Sequence, residues 1–182
     1  IVLGATSQAF PGWTAVKYVF TPETDGEYCF SIAIKQATEL SRDHGWVGID
    51  DVTITGYAPG EGGEVTPPAG GEPVAFEFFE DFDDNSHFSE GGIVPDGWLS
   101  TGTCAPAREE AGMYLTGYDA HSGSYMLNSL DQMGSVRDEV LYTPMMKLAG
   151  GKEASISFYI YAPSAAPFYS YVDVKAGTAQ TL

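Results

Sequence analysis

Apolar residues recur at every second position along much of this chain, and that period constrains the fold more than any other feature. Between Glu27 and Ile34, Tyr28, Phe30, Ile32 and Ile34 alternate with polar or small residues. Alternation gives a strand one buried and one exposed face, whereas an amphipathic helix needs apolar residues three and four apart. Ala15–Phe20 shows the same pattern, and Glu23-Thr24-Asp25-Gly26 between the two runs is turn-forming, so an antiparallel hairpin is expected. Further strands are expected over Trp46–Thr55, Ile156–Tyr161 and Tyr169–Val174, with turns at Gly150-Gly151 and across Pro163–Pro167. Pro144 interrupts Val140–Leu148, which suits a bulge or an edge strand because proline has no N–H for a ladder. The fold class that follows is all-β, an antiparallel β-sandwich of two sheets.

One stretch breaks the pattern. Residues 57–74, YAPGEGGEVTPPAGGEPV, are rich in Gly, Pro and Glu with little to bury, the composition of an exposed linker. Boundaries therefore fall at 1–56, 57–74 and 75–182. Acids outnumber bases in all three.

With 8 basic and 25 acidic residues the formal charge is −17. Such a chain repels nucleic acid and anionic membrane surfaces and favours cations. No apolar run is long enough for a transmembrane helix, so membrane insertion is not expected. The sequence starts at Ile1 with neither Met nor a charged-then-apolar leader, as expected of a processed product or an excised piece. Cys29 and Cys104 lack the spacing of a zinc or redox site; they are expected as core or loop residues, with a single bridge between them as the alternative.

Scarce bases matter most where acids turn inward. In FEFFEDFDD, alternation places Phe76, Phe78, Glu80 and Phe82 on one face, so Glu80 lies among phenylalanines. In WVGIDDVTIT it places Trp46, Gly48, Asp50, Val52 and Ile54 together, so Asp50 is also on a face expected to be buried. A buried carboxylate is costly without a compensating donor or cation. Calcium, which takes six to eight oxygens, is the expected cation, with Asp83 or nearby carbonyls completing the shell; loop amides or a bulge that turns Glu80 outward are the alternatives. Asp81-x-Asp83-x-Asn85 opens like an EF-hand loop but has Ser86 where that loop needs glycine and Gly92 where it needs glutamate.

Several of these runs resemble a known family. FFEDFD (78–83), VPDGW (94–98) and RDEVLYTPMMKLAGGKEASISFYIYAP (137–163) resemble the opening half of the choice-of-anchor J or cleaved-adhesin modules of Bacteroidetes surface proteins and the gingipain haemagglutinin/adhesin region. WTAVKYVFTPETDGEYCFSIAI (13–34) and GWVGIDDVTITG (45–56) resemble the closing half. The resemblance implies a jelly-roll sandwich of the galactose-binding or concanavalin-like kind, with residues 1–56 as the tail of one module and 75–182 as the head of the next. The alternative is that both flanks form one permuted sandwich. It also implies that the strands carrying Glu80 and Asp50 are neighbours sharing a structural calcium, and that the chain is displayed outside the cell or on the outer-membrane surface beside further modules of its own polypeptide.

Catalytic constellations are absent from the sequence. His44, His87 and His121 fall far apart on expected loops and read as solvated, there is no nucleophile elbow or phosphate loop, and Arg137-Asp138-Glu139 reads as a solvated turn entering a strand. Trp13, Trp46 and Trp98 are expected in packing. Phe168, Tyr169 and Tyr171, and separately Tyr114 and Tyr118, are the candidate ligand-contacting rings. The expected function is a non-catalytic extracellular module for attachment to glycans or host proteins. Its rivals are a passive spacer in a secreted or surface hydrolase and an enzyme whose site is assembled from loops.

Overall fold

The computed structural model describes residues 1–6, 8–36, 46–60, 71–84, 94–104, 114–117, 119–130, 137–162 and 171–180. The described residues form two packed antiparallel sheets without helices. The strands are β1 (Val2–Thr6), β2 (Phe10–Phe20), β3 (Gly26–Gln36), β4 (Trp46–Gly60), β5 (Gly71–Glu80), β6 (Leu99–Cys104), β7 (Tyr114–Thr116), β8 (Met126–Leu130), β9 (Arg137–Tyr142), β10 (Met146–Leu148), β11 (Ala154–Ala162) and β12 (Tyr171–Gly177). The first sheet runs β1-β12-β3-β9-β6, with β10 also on β3; the second runs β2-β11-β4-β8-β7, with β5 also on β4.

Alternation explains how the sheets meet. Phe30, Ile32 and Ile34 of β3 and Val172 and Val174 of β12 bury one face of the first sheet; Ile49, Val52 and Ile54 of β4 with Ile156, Phe158 and Ile160 of β11 bury the facing side of the second. These residues make one shared core, as expected when two sheets each hide a single face.

The expected hairpin between residues 15–20 and 27–34 does not form. β2 pairs with β11 and β3 with β12, β9 and β10, so the turn after Phe20 carries the chain from one sheet to the other. Both strands point apolar residues inward across the core, and the rings of Phe20 and Phe30 meet there edge to face at 6.4 Å. Strands from both flanks interleave: β3 lies between β12 and β9, and β4 between β11 and β5. Of the stretch expected as a linker, Tyr57–Gly60 belongs to β4 and Gly71–Val74 to β5, paired through Tyr57–Ala75 and Ala58–Val74; residues 61–70 lie outside the described ones.

Pro144 acts as its chemistry requires. β9 and β10 follow each other along the same edge of β3, and the interruption between them is closed by Thr143, whose Oγ1 accepts from Phe30 N–H at 3.0 Å while its own N–H donates to Phe30 O at 2.9 Å. Arg137–Glu139 is not a solvated turn. It opens β9, and Glu139 is buried opposite Ile34. Cys29 is a free thiol near one end of β3, paired with Gly177, whereas Cys104 pairs with Arg137 towards the other end of the sheet, which rules out a bridge.

Candidate functional site: a loop held by aspartates at a break in a sheet edge

One edge of β4 is covered by two strands in succession. β8 pairs with Trp46–Ile49, and β5 pairs from Val52 onward, leaving Asp50 and Asp51 at the gap. On the opposite edge Ser157 faces Thr53 but Tyr159 faces Asp50, so β4 carries an extra residue here. Asp51 has a φ of 49°, a left-handed conformation that accommodates the bulge. The bulge shifts the alternation: Val47 and Ile49 face the core before it, Val52 and Ile54 after it. The expected grouping of Gly48 with Val52 on one face therefore fails by one residue, and the Trp46 side chain lies outside what the structure describes. Asp50 is nonetheless fully buried.

The gap is filled by the loop Asp119–Tyr125, which leads into β8, and by the segment that leaves β5 at Glu80. Asp50 Oδ2 accepts from the backbone N–H of His121 at 2.8 Å and of Ser122 at 3.2 Å, and Oδ1 accepts from Asp51 N–H at 2.9 Å. Asp51 takes the side chains of the same two loop residues: His121 Nδ1 at 2.6 Å and Ser122 Oγ at 2.7 Å. From the other side, Asp83 Oδ1 accepts from Ser124 N–H at 2.7 Å and Tyr125 N–H at 2.9 Å. Two of these carboxylates, Asp50 and Asp83, thus do for the loop's amides what a ladder partner would otherwise do, and Asp51 holds the loop's side chains.

Glu80 is buried as its alternation requires, on the face shared with Phe76, Phe78 and Phe82, and its Oε1 accepts from Phe82 N–H at 2.8 Å. That contact bends the chain back: Phe82 sits at a φ of 60°, unusual for a large side chain, with its ring buried against Trp98 at 5.6 Å. Asp119 (φ 56°) and Gly123 (φ 58°) are also left-handed, so four such residues surround the gap. Gly123 is required twice over, since a Cβ there would collide with the Asp83 carboxylate.

Burial pushes the Asp50 carboxyl up to about 6; amide hydrogen bonds from Ser122, Asp51 and His121 act against that, and the neighbouring Asp51 charge adds to it. Hydrogen bonds from neutral donors therefore only partly offset desolvation. Among the described residues, no three His, Cys, Asp or Glu side chains group as a metal-ligand set. Any cation on Asp50, Glu80 or Asp83 would need carbonyls or water as well.

His121 is not a solvated loop histidine. Its ring stacks on Tyr159 at 3.5 Å and 16°, meets Trp13 edge-on at 5.7 Å, and bonds Asp51. Trp13 is half-buried, and its Nε1 donates to Asp119 O at 3.1 Å, tying β2 to the loop. Only the spacing between the aspartates and His121 hides this cluster in the sequence, because 70 residues separate the paired side chains. His44 and His87 lie outside the described residues, as do Tyr118, Phe168 and Tyr169. Tyr171 opens β12 opposite Lys35, and Tyr114 opens β7 opposite Asn128. These two strands belong to different sheets.

No family model, curated protein or solved structure matches this chain.

Proposed function

We propose that this chain is a non-catalytic extracellular attachment module: a sandwich of jelly-roll type, similar to the cleaved-adhesin modules, that binds a glycan or host protein. One observation carries this reading. The loop Asp119–Tyr125 is pinned by Asp50, Asp51 and Asp83 amid four left-handed residues, three of them not glycine. Backbone strain persists only where surrounding structure enforces it, and it clusters at binding and catalytic sites. A passive spacer has no need of a surface loop held in this way.

Calcium is the cofactor that fits the chemistry. Asp50, Glu80 and Asp83 offer hard oxygen donors around one break in the sheet, and among the described residues the hydrogen bonds to Asp50 come from neutral amides. Bound calcium would supply the positive charge that those amides lack. A cell-surface address and neighbouring modules of the same polypeptide belong to the same proposal and rest on the family resemblance.

The test is retention of the chain on panels of glycans and host proteins, with melting followed in calcium and in chelator. A ligand of the folded state raises the melting temperature by mass action. Specific retention together with a calcium-dependent rise is expected. Retention on neither panel overturns attachment, and identical melts in calcium and chelator overturn the metal.

A further inference from the structure

We propose that the solvent-facing side of the second sheet, beside the pinned loop, is a saccharide-binding groove that takes a neutral hexose. It rests on the attachment reading above and names both the ligand class and its place.

The groove arises from alternation on β4, β5 and β11. Phe76 and Phe78 turn towards the core, which sends Phe79 to the opposite face, where it is 54% exposed. Thr53 stands opposite Phe79 on β4, and Ser157 opposite Thr53 on β11. The loop closes one end with His121 and Ser122 over Asp51 and Tyr159, enclosing a concavity of about 470 Å³. Ligand pockets for small molecules run from roughly 300 to 1,000 Å³, so a hexose or disaccharide is within range.

Its chemistry suits a sugar. An exposed ring gives a flat apolar surface for the C–H face of a pyranose, the hydroxyls of Thr53 and Ser157 can both donate to and accept from sugar hydroxyls, and Ser122 Oγ, whose proton goes to Asp51, can accept. His121 is held before any ligand arrives, by Asp51 at Nδ1 and by the Tyr159 ring, and this fixes Nε2 as its remaining hydrogen-bonding atom. Groups locked in place lose little freedom on binding. Asp51 also selects on charge: with this carboxylate in the groove and −17 on the chain, uronic and sialic acids are repelled, and neutral sugars remain.

The experiment compares native chain with Phe79→Ala and Ser157→Arg on an array of neutral glycans ending in galactose, glucose, mannose, fucose or N-acetylglucosamine, beside acidic glycans and a host-protein panel. Val74→Ala is the control, because Val74 is 63% exposed on the same strand but outside the groove. At least one neutral glycan should hold the native chain and Val74→Ala equally, with a loss of tenfold or more in both groove variants. Phe79 is exposed, so its truncation leaves the core intact and decides the matter should Ser157→Arg fail to fold. If a neutral glycan holds Phe79→Ala as well as native, or if retention is confined to acidic glycans or proteins, the groove assignment falls and attachment stands. If nothing retains the native chain, both fall.

Discussion

Asp50 and Asp51 hold the same two residues by different parts: Asp50 by the backbone amides of His121 and Ser122, Asp51 by their side chains. A regular strand would point neighbouring carboxylates to opposite sides of the sheet, where they could not share a target. The extra residue in β4 brings both to one loop.

Gly123→Ala should destabilise the fold by about 2 kcal/mol or more, because a left-handed φ and a collision with Asp83 add together. The methyl group would collide with the Asp83 carboxylate, so the loop or that side chain must shift and loosen the Ser124 and Tyr125 amides. The urea midpoint should fall at unchanged slope, and a midpoint equal to native would show that the loop is not held by Asp83.

Asp50 should make stability depend on pH in the unusual direction. Its folded value near 6 lies above the ordinary 3.8, so the folded protein takes up the proton more readily than the unfolded chain. The contribution is present below about pH 4 and is lost as pH rises through about 6. In chelator, the melting temperature of native chain relative to Asp50→Asn should therefore decline between pH 4 and 7. A difference that stays flat or rises over that range would contradict a desolvated Asp50.

Gly150→Ala should also be costly, for a reason far from the site. A Cβ there would lie 2.8 Å from the backbone of Thr24, where Gly150 N–H donates to Asp25 Oδ1 at 2.7 Å. Backbone cannot yield as a side chain tip can, so a loss of about 1–3 kcal/mol is expected from overpacking. Thermal unfolding of the variant measures it, and a native melting temperature would refute the close docking of the two turns.

Cys29 should resist alkylation in the folded state. Burial raises its thiol, and the thiolate is the reactive form. In a Cys104→Ser background, iodoacetamide should label Cys29 at least about tenfold more slowly in buffer than in urea. Comparable rates would place Cys29 at the surface.

How far the sequence revealed all this depends on the range of the interaction. Strand positions and the inward turn of Glu80 follow from period two, because side-chain direction in a strand is a local property. Alternation in WVGIDDVTIT puts Asp50 on the buried side, but the bulge breaks that alternation one residue later, and nothing in the stretch marks Asp51 as left-handed. Pairing was less legible than strand position: β2 and β3 carry hairpin signals, yet both need a partner across the core more than beside each other. His121 was hidden furthest, since its partners Asp51, Tyr159 and Trp13 come from three strands that only the assembled sheet brings together.

The interleaving of strands also sets a schedule for synthesis. Ile32 and Ile34 emerge well before their neighbours on β9 and β12, which begin only at Arg137 and Tyr171. At a translation rate of about 5–20 residues per second, the future centre of a sheet waits for roughly five to twenty seconds with both borders open. A nascent chain of this topology needs shielding until β9 and β12 have been made.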